Sequence, residues 1–221
     1  MPLLLVVFWY GVVQERLEYD IRYGPVLLGT MVLERLDNES LEGELCQYLR
    51  AEVRLDQNLS WLFWAKYQFE SWCRITDMLT LRSVKTTREK NYRDEWAVVF
   101  DHQNRRARYA DNSEFSLPDS ARDMLTLWYY LRRVDWDNKD TLFANAHIDR
   151  RNWRIRFVVS GRKNVKTAAG EFCCLIISPD ARGPLGAVYV ADDQNRIPVV
   201  IRTRVSGLTV SAYLRNIRIR L

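Results

Sequence analysis

One pair of adjacent carboxylates in the chain, Asp192-Asp193, could act as an acid and a base. Two carboxyl groups that lie close together raise the pKa of one of them, which lets the pair divide into a proton donor and a proton acceptor. A structural role is favoured, because adjacent strand residues point to opposite faces and Asp near Asn commonly closes a turn. Catalysis by Asp193 would require an arginine or a histidine to meet it in a cleft.

The two histidines, His102 and His147, do not have the spacing of a metal site relative to any Cys, Asp or Glu. His147 precedes Asp149 on the flank of a predicted strand, where an ordinary surface histidine is favoured over a catalytic pair. The sequence contains no Gly-rich phosphate loop, Gly-x-Ser-x-Gly motif or His-Glu-x-x-His motif. It therefore predicts no enzymatic activity, no metal and no cofactor.

The four cysteines lack Cys-x-x-Cys spacing. Adjacent Cys173 and Cys174 point to opposite faces of a strand, which predicts one buried and one exposed thiol. Cys46 and Cys73 lie on neighbouring predicted strands. They are compatible either with a disulfide in an oxidising compartment or with buried free thiols.

Aromatic side chains are the best candidates for a ligand site. The chain has 8 Trp, 11 Tyr and 8 Phe, more than one helix stripe and one strand face require. A curved sheet lined by such residues can hold an apolar ligand, and the alternative is that they fill the core. The candidate ligand-binding residues are Trp61, Phe63, Trp64, Trp72, Trp128 and Tyr129, with Tyr130 beside them.

The positive charge is spread along the chain. Lys and Arg outnumber Asp and Glu by 33 to 28, whereas nucleic-acid binders usually concentrate the excess in a stripe or a tail. We therefore expect no nucleic-acid partner and interpret most charges as solvated strand faces. A local positive surface for an acidic partner or lipid is possible at the C-terminal arginines, which are Arg202, Arg204, Arg215, Arg218 and Arg220.

Residues 1–13 form a short apolar segment ahead of Gln14-Glu15-Arg16. The segment is too short to cross a bilayer as a helix, which takes about 20 residues, so an integral membrane protein is not expected. Its length suits an export signal, although no Lys or Arg precedes it and no Ala-x-Ala follows it. We interpret it as a degenerate signal or a first strand, and residues 14–221 as a single β domain.

Strands are the elements that must position these residues. Side chains alternate between apolar and charged from Arg16 to Tyr23, and a turn at Gly24-Pro25 leads into a second arm, which predicts a hairpin. A polar turn is predicted at residues 37–40. Similar alternation then predicts successive antiparallel strands, including residues 44–55 and 141–148.

One amphipathic helix interrupts the strands, at residues 119–133. Asp119 or Ser120 would be its N-cap, and Arg132-Arg133 would end it with favourable cations. We predict a mainly β protein in which a single antiparallel meander forms a curved, incomplete β-barrel covered by this helix. The alternative is a two-sheet β-sandwich.

Four segments, in order, resemble a bacterial family known as domain of unknown function 3108. They are the run from Glu15 to Gly24 with Gly29, the helix from Ser120 to Arg132, the run from Val188 through Asp192-Asp193 to Val199, and the strand after Gly207-Leu208. The resemblance covers nearly all of the chain after residue 14. It implies an exported, envelope-associated β protein, usually with a signal peptide, and no established activity or catalytic residues.

These observations support two hypotheses of function. The first is a non-enzymatic periplasmic protein that binds an apolar or amphiphilic envelope component in a half-barrel similar, by analogy of fold, to lipoprotein carriers. The second is an envelope interaction or scaffold protein that uses a strand edge or the Arg-rich C-terminal face.

Overall fold

The computed structural model describes residues 12–55, 64–180, 185–205 and 208–220. These ranges contain one helix, α1 (Met124–Arg133), and fourteen strands. The strands are β1 Val13–Tyr23, β2 Val26–Leu41, β3 Glu44–Leu55, β4 Ala65–Arg74, β5 Thr80–Glu89, β6 Arg93–Asp101, β7 Arg106–Tyr109, β8 Glu114–Ser116, β9 Thr141–Ile148, β10 Arg151–Thr167, β11 Gly170–Pro179, β12 Val188–Ala191, β13 Pro198–Val205 and β14 Leu208–Ile219.

All of these strands belong to one antiparallel sheet, in the order β8-β7-β6-β5-β4-β3-β2-β1-β14-β13-β12-β11-β10-β9. Strands that follow one another in sequence pair with each other, except β8 and β9, and β1 pairs with β14 at the middle of the sheet. β8 and β9 are the two edges, so the sheet is not closed into a barrel. The predicted incomplete barrel is confirmed, and the alternative of a two-sheet sandwich is wrong.

The predicted first hairpin is formed by β1 and β2. Leu17, Tyr19 and Ile21 are buried on one face, as the alternation predicts. The hairpin turns at Gly24, whose φ of +55° is a left-handed conformation that glycine adopts without steric cost. The turn predicted at residues 37–40 is wrong, because β2 continues to Leu41 and the chain turns afterwards at Glu42-Gly43.

The helix begins later than the predicted residue 119. Its N-cap is Asp123, whose carboxylate accepts a hydrogen bond from the backbone N–H of Thr126 at 2.7 Å. The two predicted caps lie outside the helix because Ser120 has a φ of +53° and Arg122 forms a bridge to Ala146 of β9. The segment before α1 is therefore held by the sheet.

α1 packs between the two halves of the sheet. Leu125 and Tyr129 belong to an apolar cluster with β1 to β3, whereas Leu127 and Leu131 belong to a second cluster with β9 to β12. We call the sheet face that carries Leu17 and contacts α1 the inner face. Among the described residues, no helix is long and apolar enough to span a membrane.

The outer face of the central strands carries charges in pairs. Glu34, which is buried, accepts from Arg16 of β1 and Arg50 of β3, and Arg215 of β14 contacts Glu18. Opposite charges on neighbouring strands stabilise the pairing modestly. Most of the arginine excess on these strands is therefore balanced locally.

The two free edges of the sheet approach each other along a line that we call the seam. On one side lie Ser116 of β8 and Tyr109 of β7, and on the other lie His147 of β9 and Asn152 of β10. The Tyr109 hydroxyl contacts His147 Nε2 at 2.9 Å, and Asn152 Nδ2 donates to the Ser116 carbonyl at 2.8 Å. Side chains, and not a strand ladder, bridge the gap.

The four cysteines are free thiols. Cys174 is buried and Cys173 is exposed, which confirms the predicted alternation. Cys46 and Cys73 are both buried, but the register places Cys46 opposite Arg74 and Cys73 opposite Gln47, so they lie on opposite faces and form no disulfide. Of the predicted apolar segment 1–13, residues 1–11 lie outside the described residues.

Candidate functional site

An open cleft of about 810 Å³ lies at the C-terminal end of α1. Its walls come from β1, β2, β3, the end of α1 with the residues that follow it, and the turn between β12 and β13. Most of the lining side chains are charged or polar, and we call the site the arginine cleft. It is lined by Glu15, Arg35, Gln47, Tyr129, Arg132, Arg133, Val134, Asp135, Asp137, Asp192, Asp193, Gln194, Asn195 and Arg196.

A buried ion pair joins three distant segments in the arginine cleft. Arg132 Nη1 and Nη2 donate to the two carboxylate oxygens of Glu15 at 2.6 and 2.8 Å. Arg132 also donates to the backbone carbonyl of Asn195 at 3.1 and 3.3 Å. The C-terminal end of a helix favours cations, so α1 places this arginine well. The pair therefore ties β1, α1 and the β12–β13 turn together.

The carboxylates of the arginine cleft are all engaged. Beyond Glu15, Asp137 accepts from Arg196 at 3.0 Å, Asp192 accepts from Arg162 at 2.9 Å, and Asp135 accepts from Asn138 at 2.7 Å. Asp193 accepts from the backbone N–H groups of Asn195 and Arg196 at 2.8 and 3.0 Å. Asp193 thus closes a turn, as the structural interpretation predicted.

Several hydrogen-bond donors in the arginine cleft lack an acceptor. The side chain of Arg35 is half-buried and makes no hydrogen bond or ion pair with any described residue. Tyr129 is only 6% exposed, and its hydroxyl is buried without a hydrogen-bond partner in the described part of the chain, as is Nη1 of Arg196. Burial and the nearby charge of Glu15 raise the pKa of Tyr129, so its hydroxyl keeps its proton and can donate.

The predicted aromatic lining is only partly brought together. Tyr129 lines the arginine cleft, whereas Trp128 packs against the apolar cluster of β9 to β12. Trp64 is 38% exposed just before β4. Trp61 and Phe63 lie outside the described residues.

The prediction that Trp72 lines the concave side is wrong. Trp72 points to the outer face, where it stacks on Tyr48 with ring centroids 4.7 Å apart and donates to Glu39 at 2.8 Å. Cys73, the next residue, is the one that points inward, because successive strand residues face opposite sides.

His147 is part of the seam and forms no pair with Asp149. Asn152 Nδ2 is occupied by Ser116, so Asn152 Oδ1 must accept from His147 Nδ1, at 2.7 Å, and Nε2 is left to accept from Tyr109. Burial lowers the pKa of His147, which favours this neutral form. Asp149 instead contacts Lys85 at 2.7 Å. Across the described ranges, no group of three or more His, Cys, Asp or Glu could hold a metal ion.

The C-terminal arginines do not form one uniform surface. Arg215 is paired with Glu18 and Asp20, and Arg202 lies over the ring of Tyr189, 4.9 Å from its centroid. Arg218 and Arg220 are exposed. The side chain of Arg204 lies outside the described part.

Sequence reasoning missed Arg35, Gln47 and Arg133 as site residues. The alternation places Arg35 on the same face as Leu33, and Gln47 on the same face as Leu49, both of which are buried. A charged or amide side chain on an otherwise buried face is the signal that could have identified them. Arg133 donates to Gln47 at 3.2 Å, which no local pattern indicates.

The fold is similar to that of solved structures. A crystal structure of a β-barrel-like protein of domain of unknown function DUF1849 from Brucella abortus matches with a TM-score of 0.62 and 13% identity over 95% of this chain and 99% of that chain. A "putative lipoprotein" from Parabacteroides distasonis matches with a TM-score of 0.31 and 12% identity over 94% and 95% of the two chains. No curated protein matches this chain.

The family comparison covers most of the sheet. The model described as "Protein of unknown function (DUF3108)" matches residues 18–214, which run from β1 to β14 and include α1 and most of the arginine cleft. This span confirms the resemblance found in the sequence. The chain therefore belongs to the DUF3108 family.

Proposed function

We propose that this protein is a non-enzymatic binding protein of the bacterial envelope, and that it holds an amphiphilic envelope component in the arginine cleft. The observation that carries the proposal is the cleft itself, an open volume of about 810 Å³ lined by buried donors that have no acceptor among the described residues. A site built to bind small molecules is typically a concave pocket with a few convergent polar groups.

Two further observations support this proposal. Three of the four segments that resemble the family meet at the cleft, through Glu15, the end of α1 and the turn at residues 192–196. The buried ion pair between Glu15 and Arg132 fixes their relative positions, as a preorganised site requires. The envelope location is supported by the resemblance, since the family is expected to be exported.

The test is to purify the full chain from a bacterial host without denaturants and to analyse it by native mass spectrometry, alongside fractionation of cells that express it. We expect a bound small molecule that is released on unfolding, and protein in the envelope fraction. Repeated recovery of ligand-free protein from the cytoplasm would contradict the proposal.

A second function, as an interaction protein, is favoured by edge strand β9. Phe143 on this strand is 58% exposed, and the only backbone pairing described on the free side of β9 is the bridge from Arg122 to Ala146. Exposed edges pair readily with other chains. Substituting Phe143→Asp should then remove an envelope partner recovered by cross-linking, and an unchanged cross-linking pattern would count against this function.

A further inference from the structure

We propose that the arginine cleft binds an oxyanion, a phosphate or carboxylate group, through Arg35, Tyr129 and Arg196. This inference rests on the proposed function, because it names the chemical group of the ligand that the cleft holds. It assigns roles to three side chains that come from β2, α1 and the β12–β13 turn.

The arginine cleft contains donors that have no acceptor among the described residues. The Tyr129 hydroxyl and Arg196 Nη1 are buried without partners in the described part of the chain, and Arg35 has none there either. Buried polar groups in proteins are almost always hydrogen-bonded, so each exception calls for an explanation. All three line the same cleft and can donate, and an oxyanion has several oxygen atoms that can accept.

The acidic side chains of the arginine cleft already have hydrogen-bond donors. Every carboxylate that lines the cleft already accepts from an arginine, an amide or a backbone N–H. The carboxylates can therefore accept fewer further hydrogen bonds, whereas the unpaired donors of the cleft can still donate to a ligand. Arg133 adds a further cation at the helix end, where it donates to the Ile75 carbonyl and to Gln47.

The lining of the cleft disfavours apolar ligands and metal ions. A wholly apolar ligand would leave the charged walls desolvated without partners, which is costly. A metal ion lacks a site, since no suitable group of His, Cys, Asp and Glu occurs in the described ranges. Arginine forks suit planar carboxylates and phosphates because they can donate two parallel hydrogen bonds.

The backbone conformation of Arg196 also fits a role in anion binding. Arg196 has a φ of +45°, a left-handed conformation that is unfavourable for a residue with a side chain. The Asp193 carboxylate holds this conformation by accepting from the Arg196 N–H. The guanidinium is fixed again by Asp137, which leaves Nη1 as its free donor. Arg196 is therefore positioned before any ligand arrives.

The oxyanion could belong to a lipid headgroup or to a free small molecule, and the same contacts would serve both. The test uses the full chain at low ionic strength with inorganic phosphate, succinate, and vesicles of phosphatidylglycerol or phosphatidylcholine. Binding is measured by calorimetry for the small anions and by co-sedimentation for the vesicles. Circular dichroism verifies that each variant is folded.

We expect Arg35→Gln and Tyr129→Phe each to weaken anion binding about tenfold or more, because each removes a donor to a charged group. The matched controls are Arg88→Gln, which removes the same charge from an exposed site on β5, and Tyr48→Phe, which removes a hydroxyl on the outer face. These controls should bind as the wild type does.

The outcomes separate the alternatives. Selective weakening with phosphate or succinate supports a free anion, and the same pattern seen only with phosphatidylglycerol vesicles supports a lipid headgroup. Absence of binding to every anion, or equal weakening in Arg88→Gln, overturns the inference. A co-purified ligand without an anionic group overturns this inference but leaves the proposed function standing. If the protein binds anions but is never recovered with an envelope ligand, this inference stands and the proposed function is contradicted.

Discussion

Removing one member of the Glu15–Arg132 pair is expected to destabilise the protein by about 3–5 kcal/mol. The Glu15 side chain is 4% exposed and that of Arg132 is 12% exposed, so solvent screens the pair very little. Two charge-assisted hydrogen bonds, at 2.6 and 2.8 Å, join the side chains. Each such bond contributes roughly 1.5–3 kcal/mol, and the partner left behind would be a buried charge without a counter-charge.

The assay is urea unfolding of Glu15→Gln, Arg132→Met and the double variant, with tryptophan fluorescence as the probe. In a chain of this size, a loss of about 3–5 kcal/mol corresponds to a fall in thermal midpoint of roughly 6–20 °C. The control is Arg215→Met on the outer face, where the arginine side chain is 44% exposed and the expected loss is below about 1 kcal/mol.

The double variant decides whether the two side chains act through each other. Because it leaves no unpaired buried charge, it should lose clearly less than the sum of the two single losses. Two results would show that the two side chains do not form a buried, coupled ion pair. Either single variant could lose no more free energy of unfolding than Arg215→Met, or the two single losses could simply add. The account of how β1, α1 and the β12–β13 turn are held together would then be refuted.

Three further predictions concern the sheet, the seam and the thiols. In Gly29→Ala the new Cβ would lie 1.9 Å from the Arg54 carbonyl oxygen, so we expect a loss of about 1–3 kcal/mol or more. This loss should exceed that of Gly43→Ala, where nothing lies within 4 Å and only the φ of +85° disfavours a side chain; equal unfolding midpoints would contradict this. Burial lowers the pKa of His147 from its usual 6.5, so the folded state binds fewer protons than the unfolded chain and stability should fall as pH drops below about 6.5. In His147→Gln the loss of stability between about pH 7.5 and pH 5 should be smaller than in the wild type, as measured by the unfolding midpoints at these two pH values. An equal loss in both proteins would refute the prediction. Iodoacetamide at about pH 7.5 should label the exposed Cys173 first, since burial raises the pKa of Cys73 to about 12 and of Cys174 to about 11, and peptide mass mapping that finds another thiol labelled as fast would disprove the assignment.

Local alternation was enough to predict much of the sheet. β3 and β9 have the predicted bounds, 44–55 and 141–148, because a strand with one buried face repeats every two residues in any tertiary context. The pairing of β1 with β14 could not be predicted in this way, since it joins residues about 200 positions apart, such as Glu15 and Ile219. The late start of α1 has a similar cause, because the bridge from Arg122 to Ala146 overrides the local capping signals.

The site was harder to predict than the fold. Tyr129 lines the cleft, but the sequence pointed to aromatics and the cleft is lined mainly by charged and polar side chains. Its walls come from segments that no local pattern relates to one another. Trp72 shows the same limit, since alternation reveals that two faces exist and only tertiary packing shows which one α1 covers.

The adjacency of β1 and β14 has a consequence for biosynthesis and for engineering. The backbone N–H of Arg220 donates to the carbonyl of Gln14 at 2.9 Å, so the beginning and end of the described chain meet at the sheet centre. A growing polypeptide therefore cannot complete the ladder until β14 is made, and the side of β1 that pairs with β14 remains uncovered until then. If the two ends were linked and new ends were opened at residues 117–121, every strand would follow its spatial neighbour, and the same architecture would assemble as one uninterrupted zigzag.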